Sequence, residues 1–225
     1  MALDEALLEC ASVPSIRFYK WDSPALSFGY FGRFADVANH ASERELVRRW
    51  TGGGIVFHGE DLTYSIVIPI IDPLSRESSP SIYEKIHASL RDALITSGKR
   101  VEVSAVAALC ERRINFFVRG AGEPSVSNNA TLADRRYRSC FANPVPGDVM
   151  LDDRKIAGAA QRRTRAGLLH QGSIQHVDLA NGLAEQFAQA LSAQCERREI
   201  ESELLRRAQE IASQRYAIGA WLRKR

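Results

Sequence analysis

Hydrophobic positions recur with a helical period in one long segment near the middle of the chain. In residues 81–98, SIYEKIHASLRDALITSG, apolar side chains return every four positions at Ile82, Ile86, Leu90 and Leu94. This spacing places them on one face of an amphipathic helix. Further segments have helical composition, namely 1–11, 183–194 and 199–216. The pattern therefore predicts helices at both ends of the chain and one between them.

Other segments alternate between apolar and polar residues or are short apolar runs, as strands do. They are 15–21, 23–31, 52–59, 61–71, 101–107, 140–163 and 166–179. Strands in 52–59 and 61–71 are predicted to pair through the turn at 58–61, a short helix is predicted in 36–50, and 118–139 reads as a loop. Because strands and helices do not alternate regularly, we expect an α+β fold with a mixed, largely antiparallel sheet flanked by helices.

Composition excludes several classes of protein. The net charge of +3 is small, and the cations do not form a stripe with aromatic residues, so a nucleic-acid partner is not expected. No apolar run approaches the roughly 20 residues of a membrane span. The four cysteines have no CxxC spacing, which argues against a zinc site, and no signal-peptide pattern opens the sequence, so a cytoplasmic location is expected. Cys10 and Cys195 fall at apolar helix positions and are predicted to be core residues.

The segment RRWTGGGIVFHGEDLTYSI at 48–66 concentrates candidate chemistry. Its glycines permit unusual backbone angles and a close approach of N–H groups to a ligand. Arg48 and Arg49 carry forked donors that suit a carboxylate or phosphate, but no phosphate-loop lysine follows. On these residues alone, a strand bulge and an anion cradle are equally good interpretations. His58 is more often a structural residue than a catalyst at such a position.

Two further residues are candidates for catalysis. Lys155 precedes IAGAAQRR, where Gly158 and Ala159 could leave a narrow floor beside its ammonium group. Most such lysines are solvated hairpin residues, and that alternative stays open. Cys140 follows the predicted loop and would be reactive if a nearby cation lowered the pKa of its thiol; most cysteines are structural.

These segments occur together in an order that resembles the lipoate–protein ligase and octanoyltransferase branch of the biotin and lipoate protein ligase superfamily. The matching pieces are MALDEALL, IRFYKWDSPALSFGYF, RRWTGGGIVFHGEDLTYSI, KIAGAAQRR and LLHQGSI. The resemblance implies a single class II synthetase-like catalytic domain over 1–225, with a helical part at 180–225, and a tunnel for a medium-length acyl chain. It implies a wall around the acyl carbonyl formed by Arg49, Thr51, Gly52, Gly53, Gly54 and His58. It also implies that Lys155 lies over that carbonyl, with Gly158 and Ala159 as the floor.

Two mechanisms are known on this scaffold, and the resemblance favours the second. A ligase activates lipoate with ATP and Mg²⁺ as an acyl-adenylate. A transferase needs no such cofactor and moves octanoate from acyl carrier protein to a cysteine, and then to one lysine of a lipoyl carrier domain. The Cys140–Phe141 pair, fifteen residues before Lys155, matches the transferase nucleophile. The expected acceptors are lipoyl domains of 2-oxoacid dehydrogenase complexes or the glycine cleavage H protein.

Some residues depart from the transferase pattern. Gly54 stands where similar transferases often have arginine, Gly32 replaces a common glutamine, and PVPGDVML lacks the usual Pro-Ser-aromatic sequence. An ATP-dependent lipoate–protein ligase is therefore the alternative prediction. A non-catalytic relative that binds carrier proteins is a third possibility, and a biotin ligase is a more distant one.

Overall fold

The computed structural model describes residues 1–96, 101–103, 141, 144–177, 179 and 182–224. The helices are α1 (Ala2–Cys10), α2 (Ser79–Thr96), α3 (Leu183–Leu191), α4 (Ser202–Ile211) and α5 (Gly219–Leu222). The strands are β1 (Ser15–Tyr19), β2 (Ala25–Phe28), β3 (Glu45–Arg48), β4 (Val56–His58), β5 (Leu62–Pro69), β6 (Glu102–Val103), β7 (Val149–Leu151), β8 (Arg154–Arg163) and β9 (Gly167–Ile174). The predicted loop at 118–139 lies outside the described residues.

Two sheets form the framework. The larger sheet has the order β1-β5-β9-β8-β7-β6, and all of its pairs are antiparallel. The smaller sheet has the order β3-β2-β4, in which β2 is parallel to β3 and antiparallel to β4. The predicted mixed, largely antiparallel sheet with flanking helices is therefore confirmed.

The larger sheet has two faces of different composition, because successive residues of a strand point to opposite sides. One face packs its apolar residues against α2 and α3. This core includes Tyr64, Ile66, Ile68, Leu168 and Ile174 of the sheet, the four residues of the predicted helical face, and Leu183 and Phe187 of α3. The other face, in contrast, carries the buried polar residues Thr63, Ser65, Gln171 and Ser173. It is covered at one end by α1, whose Leu8 packs on Val67 and Leu169.

Two local predictions were wrong. Segments 52–59 and 61–71 do not form a hairpin, because β4 pairs with β2 in the smaller sheet whereas β5 pairs with β1 and β9 in the larger one. The turn between them carries the chain from one sheet to the other. Residues 36–50 contain only short 3-10 turns before β3, since Glu45–Arg48 pairs with β2 and becomes a strand.

The cysteine prediction was also wrong, because Cys10 and Cys195 are both exposed. Cys10 is the last residue of α1, off the face that buries Asp4, Ala6 and Leu8. Cys195 follows the end of α3 in an exposed segment.

Within the described ranges, no helix combines the length and the apolar composition that a membrane crossing needs.

Candidate functional site

A cleft lies between the polar face of the larger sheet and the smaller sheet. The cleft is narrow, with a cavity volume of about 50 Å³, which is below the roughly 300–1,000 Å³ of typical small-molecule sites. The lining residues include Tyr19, Trp21, Ser27, Arg49, Gly53, Val56, His58, Thr63, Phe141, Lys155, Gly158, Ala159, Ala160, Gln171, Gly172 and Ser173. The cleft therefore brings together residues from both glycine-containing segments, which are a hundred positions apart in sequence.

The glycine segment 52–54 forms a loop around the Arg49 guanidinium. Arg49 Nη2 donates to the carbonyl oxygens of Gly52 and Gly54, at 3.1 and 2.7 Å. Gly53, between them, has φ +86°, a conformation that favours glycine. A Cβ on Gly29 would lie 2.1 Å from the Gly53 carbonyl oxygen, so the end of β2 also needs a glycine. The loop thus turns two carbonyls toward an arginine.

The two adjacent arginines have different roles. Arg48 is buried. Its guanidinium donates hydrogen bonds to the main-chain oxygens of Tyr30, Gly32, Leu222 and Lys224. Arg49 points into the cleft instead. The hypothesis that both arginines face a bound anion is therefore replaced by one structural arginine and one arginine at the site.

His58 lies in a buried chain of hydrogen bonds that ends on Arg49. His58 Nδ1 is 2.8 Å from Asp61 Oδ2, and its Nε2 is 2.6 Å from Ser27 Oγ. Arg49 Nη1 donates to the same Ser27 oxygen at 2.7 Å. Burial alone would raise the pKa of Asp61, but hydrogen bonds from His58, Ser173 and Gly59 hold that pKa below its ordinary value. The ionised Asp61 thus favours His58 with its proton on Nδ1, so that Nε2 accepts from Ser27.

Lys155 crosses over Gly158 into the cleft. A Cβ on Gly158 would lie 2.5 Å from Lys155 Nζ, so any larger residue would force the end of the lysine side chain to move. Lys155 Nζ forms a 2.8 Å ion pair with Asp148, and the two side chains are 5% and 0% exposed. Asp148 also accepts from the Tyr83 hydroxyl at 2.6 Å. The predicted ammonium beside a narrow floor is present, but it already has a carboxylate partner.

The remaining predicted site residues have diverse positions. Cys140 lies outside the described residues, while the ring of its neighbour Phe141 is 5.6 Å from Lys155 Nζ. Thr51 does not line the cleft; its hydroxyl donates to Gln171 Oε1 at 2.8 Å and ties the glycine loop to the larger sheet. Gly54 lines a neighbouring cavity with Gly53. Ala159 donates its N–H to the Tyr83 hydroxyl. The roles assigned to these residues stay predictions.

Sequence reasoning missed four polar residues of the site: Ser27, Asp61, Tyr83 and Asp148. Each is a hydrogen-bond or ion-pair partner of a predicted residue or of its partner. Asp61 lies inside the segment 48–66, whereas the other three lie outside it. The only signal was charge in an apolar setting, because Asp148 directly precedes a strand and Asp61 opens one. Within the described part of the chain, no three His, Cys, Asp or Glu side chains gather to hold a metal ion.

A second polar cluster lies behind the site, in the apolar core. The Tyr64 hydroxyl is 2.9 Å from His87 Nε2 and 3.4 Å from His170 Nε2. Burial lowers the pKa of His87 to about 4, and burial, followed by the charge of His87, also lowers that of His170. Both imidazoles are therefore neutral at pH 7.

The two-sheet framework around this cleft is that of the lipoate–protein ligases. A putative lipoate protein ligase from Thermoplasma acidophilum with bound lipoic acid aligns with a TM-score of 0.69 at 18% identity, over 98% of this chain and 91% of that one. Lipoate–protein ligase A bound with ATP gives 0.70 at 18% identity, over the same shares. The chain belongs to the lipoyl protein ligase A/B catalytic domain family, whose model matches residues 1–215.

Curated relatives with similar sequences include octanoyltransferases named LipM. The protein from Oceanobacillus iheyensis is 36% identical over 182 residues, which is 77% of this chain and 58% of the relative. The protein from Macrococcus caseolyticus is 33% identical over 188 residues, which is 80% of this chain and 62% of the relative. The matched region thus spans about three fifths of the relatives' length.

Proposed function

We propose that this protein is an acyltransferase of protein lipoylation. It would take an octanoyl (or lipoyl) group from acyl carrier protein onto Cys140 as a thioester, and pass it to a specific lysine of a lipoyl carrier domain. The observation that carries the proposal is the buried Lys155 ammonium, which Gly158 admits into the cleft, with Phe141 beside it. The names of the curated relatives support the same activity.

In the first half-reaction, the Cys140 thiolate attacks the acyl carbonyl, and a new carbon–sulfur bond forms. The tetrahedral oxyanion then collapses and breaks the bond to the carrier thiol, which leaves as a thiolate and takes up a proton. In the second half-reaction, the neutral lysine amine of the acceptor forms a carbon–nitrogen bond. The bond to Cys140 then breaks, and the amine proton replaces the acyl group on the sulfur or passes to water.

Lys155 would stabilise the oxyanion in both half-reactions, because a fixed cation in a site that excludes water acts strongly on developing charge. The Asp148 carboxylate at 2.8 Å fixes the ammonium but offsets part of its charge at longer range. Lys155 therefore acts mainly on atoms in direct contact with it. Arg49 and His58 would shape the opposite wall, since their side chains line the cleft.

The proposal makes Cys140 the acylated residue. Incubation with octanoyl acyl carrier protein and no ATP should add one octanoyl group, which peptide mass spectrometry would locate on Cys140. The variant Cys140→Ala should not be acylated, whereas Cys195→Ala, which removes an exposed cysteine, should react normally. Full transfer to a lipoyl domain by Cys140→Ala would overturn the mechanism.

The alternative is an ATP-dependent lipoate–protein ligase that works through lipoyl-AMP with Mg²⁺. A second cavity on the other side of Gly53, lined also by Gly29, Gly54 and Arg33, favours it, since a nucleotide needs space beside the glycine loop. Against it, Arg49 and Lys155 are engaged with Ser27, loop carbonyls and Asp148, rather than turned toward a phosphate site. Release of AMP that requires free lipoate would establish this alternative, and its absence with a competent lipoyl domain would exclude it.

The proposed partners are acyl carrier protein as donor and a lipoyl carrier domain as acceptor, from a 2-oxoacid dehydrogenase complex or the glycine cleavage H protein. A neighbouring solved structure concerns a bipartite lipoate protein ligase and its E2 lipoyl domain. We expect neither a nucleic acid nor a membrane as partner. A transfer assay with each purified acceptor would identify the preferred one.

A further inference from the structure

The polar side chains that line the cleft have partners within the protein, with one exception among the described residues. Lys155 pairs with Asp148, and the other partnered groups are Trp21, Ser27, Arg49, His58, Thr63, Gln171 and Ser173. The Tyr19 hydroxyl is buried and has no hydrogen-bond partner in the described part of the chain. Because a buried hydroxyl without a partner is costly, this group is suited to bind an atom that enters the cleft.

Tyr19 lies at the opposite end of the cleft from Lys155. Strand register aligns Tyr19 with Thr63, Thr63 with Ser173, and Ser173 with Gly158. These four residues form one row across β1, β5, β9 and β8, and all four line the cleft. Three strand spacings of about 4.8 Å make the row about 14 Å long. An extended eight-carbon chain, with carbon–carbon bonds of about 1.5 Å, spans about 9 Å.

The Tyr19 side chain packs against Arg17, which projects from the same face of β1. The guanidinium of Arg17 lies 3.9 Å from the ring centroid, and Arg17 is itself bound to Asp4 at 2.6 Å. Burial raises the pKa of Tyr19, so the group is a neutral phenol that can both donate and accept. With the carbonyl beside Lys155, an acyl chain of about 9 Å covers most of the row of about 14 Å, so its last carbons lie toward Tyr19.

We propose that Tyr19 selects the acyl tail: its ring closes the cleft opposite Lys155, and its hydroxyl binds a hydrogen-bonding atom at the far end of the chain. Tails that carry an oxygen or sulfur there, such as a terminal hydroxyl or a dithiolane, are favoured relative to a terminal methyl group. This inference rests on the acyl cleft of the proposed function, but not on Cys140 or on the transfer steps.

The binding of free acids tests the proposed role of Tyr19 without any transfer chemistry. Calorimetry would compare octanoate, 8-hydroxyoctanoate and lipoate on the intact protein and on Tyr19→Phe. We expect the preference for the two polar-tailed acids over octanoate to fall about fivefold or more in Tyr19→Phe. The matched control is Tyr64→Phe, which removes a buried hydroxyl bound to His87 on the other face of the same sheet, and should leave the preference unchanged.

Three results would each overturn the inference. The preference could be unchanged in Tyr19→Phe, it could shift equally in Tyr64→Phe, or the unmodified protein could bind none of the three acids. A second variant, Tyr19→Ala, opens the end of the cleft and should increase the affinity for decanoate relative to octanoate at least threefold; no gain would show that the ring does not close it. Acylation of Cys140, measured on the same preparations, reports separately on the proposed function.

Discussion

The two faces of the larger sheet are made by the same strands but have different physical character. On the face toward α2, residues such as Ile66 and Leu168 are buried among apolar side chains. On the face toward the smaller sheet, Ser65 and Gln171 are equally buried, yet each is hydrogen-bonded. Burial is therefore not what separates core from site here. The difference is that the core face is mostly apolar, with one buried polar cluster around Tyr64, His87 and His170, whereas the cleft face carries a network of hydrogen-bonded polar side chains.

This contrast has a consequence for mutations. A change on the core face should lower the free energy of unfolding and leave the activity of folded molecules intact. A change on the cleft face should lower activity at a smaller cost in stability. The four predictions below test this separation, beginning with the largest expected effect.

Lys155→Met should reduce transfer about 1,000-fold, because the oxyanion loses its cation. It also leaves Asp148 buried without its partner, which destabilises the fold. The double variant with Asp148→Asn removes that unpaired charge and should recover the melting temperature but not the activity. Recovery of activity in the double variant would show that Lys155 acts through stability alone.

Leu90→Ala should lower the free energy of unfolding by about 2–5 kcal/mol, because it leaves a cavity where a fully buried side chain packs against the sheet. Urea denaturation measures this loss. The rate of transfer per folded molecule should stay within twofold of the original. A large fall in that rate would mean that the two faces are coupled.

Acid should destabilise the core face through His87. The pKa of His87 is lowered to about 4 by burial, so the unfolded chain binds the proton first, near the ordinary value of about 6.5. The neutral imidazole therefore contributes its full stability above about pH 6.5, and that contribution is lost as the pH falls toward 4. The loss amounts to about 3 kcal/mol. Urea denaturation between pH 7 and 4.5 should show this slope. His87→Gln should reduce the slope without abolishing it, because burial also lowers the pKa of His170 and this histidine contributes in the same direction.

Gly158→Ala should reduce transfer about tenfold with little change in stability, because the new methyl group would displace the flexible end of Lys155. Gly52→Ala is the matched control, since a Cβ there meets nothing within 4 Å. Steady-state transfer rates of both variants would show whether the position of the ammonium group affects transfer. Equal rates would show that the ammonium position is not critical.

The fold could be predicted where local pattern and tertiary packing agree. The four-residue period of α2 identified the helix and its buried face, and alternation identified most strands. The hairpin at 58–61 was wrong because a turn signal does not say which sheet each flanking strand joins. Pairing of β4 with β2 joins residues that are 29 to 33 positions apart in sequence, and a local pattern cannot contain such a contact.

The site was predictable in its motif residues and not in their partners. The glycines, Arg49, His58 and Lys155 stand in recognisable segments. Asp148 does not, and Ser27 carries no signal of its own within its segment, because a serine or an aspartate acquires its role only when the fold brings it to a histidine or a lysine. The sequence also could not show that Arg48 is structural and that Arg49 lies at the site. This difference depends on the direction in which each side chain points at the end of β3.

The Arg48 contacts bear on how this family can change over time. Arg48 binds its neighbours through their main-chain oxygens. Every amino acid has such an oxygen, so positions 222 and 224 can accept many different side chains while the contact persists. Relatives could therefore diverge widely in that segment and still hold the same loop beside the glycine segment, provided that the arginine itself is kept.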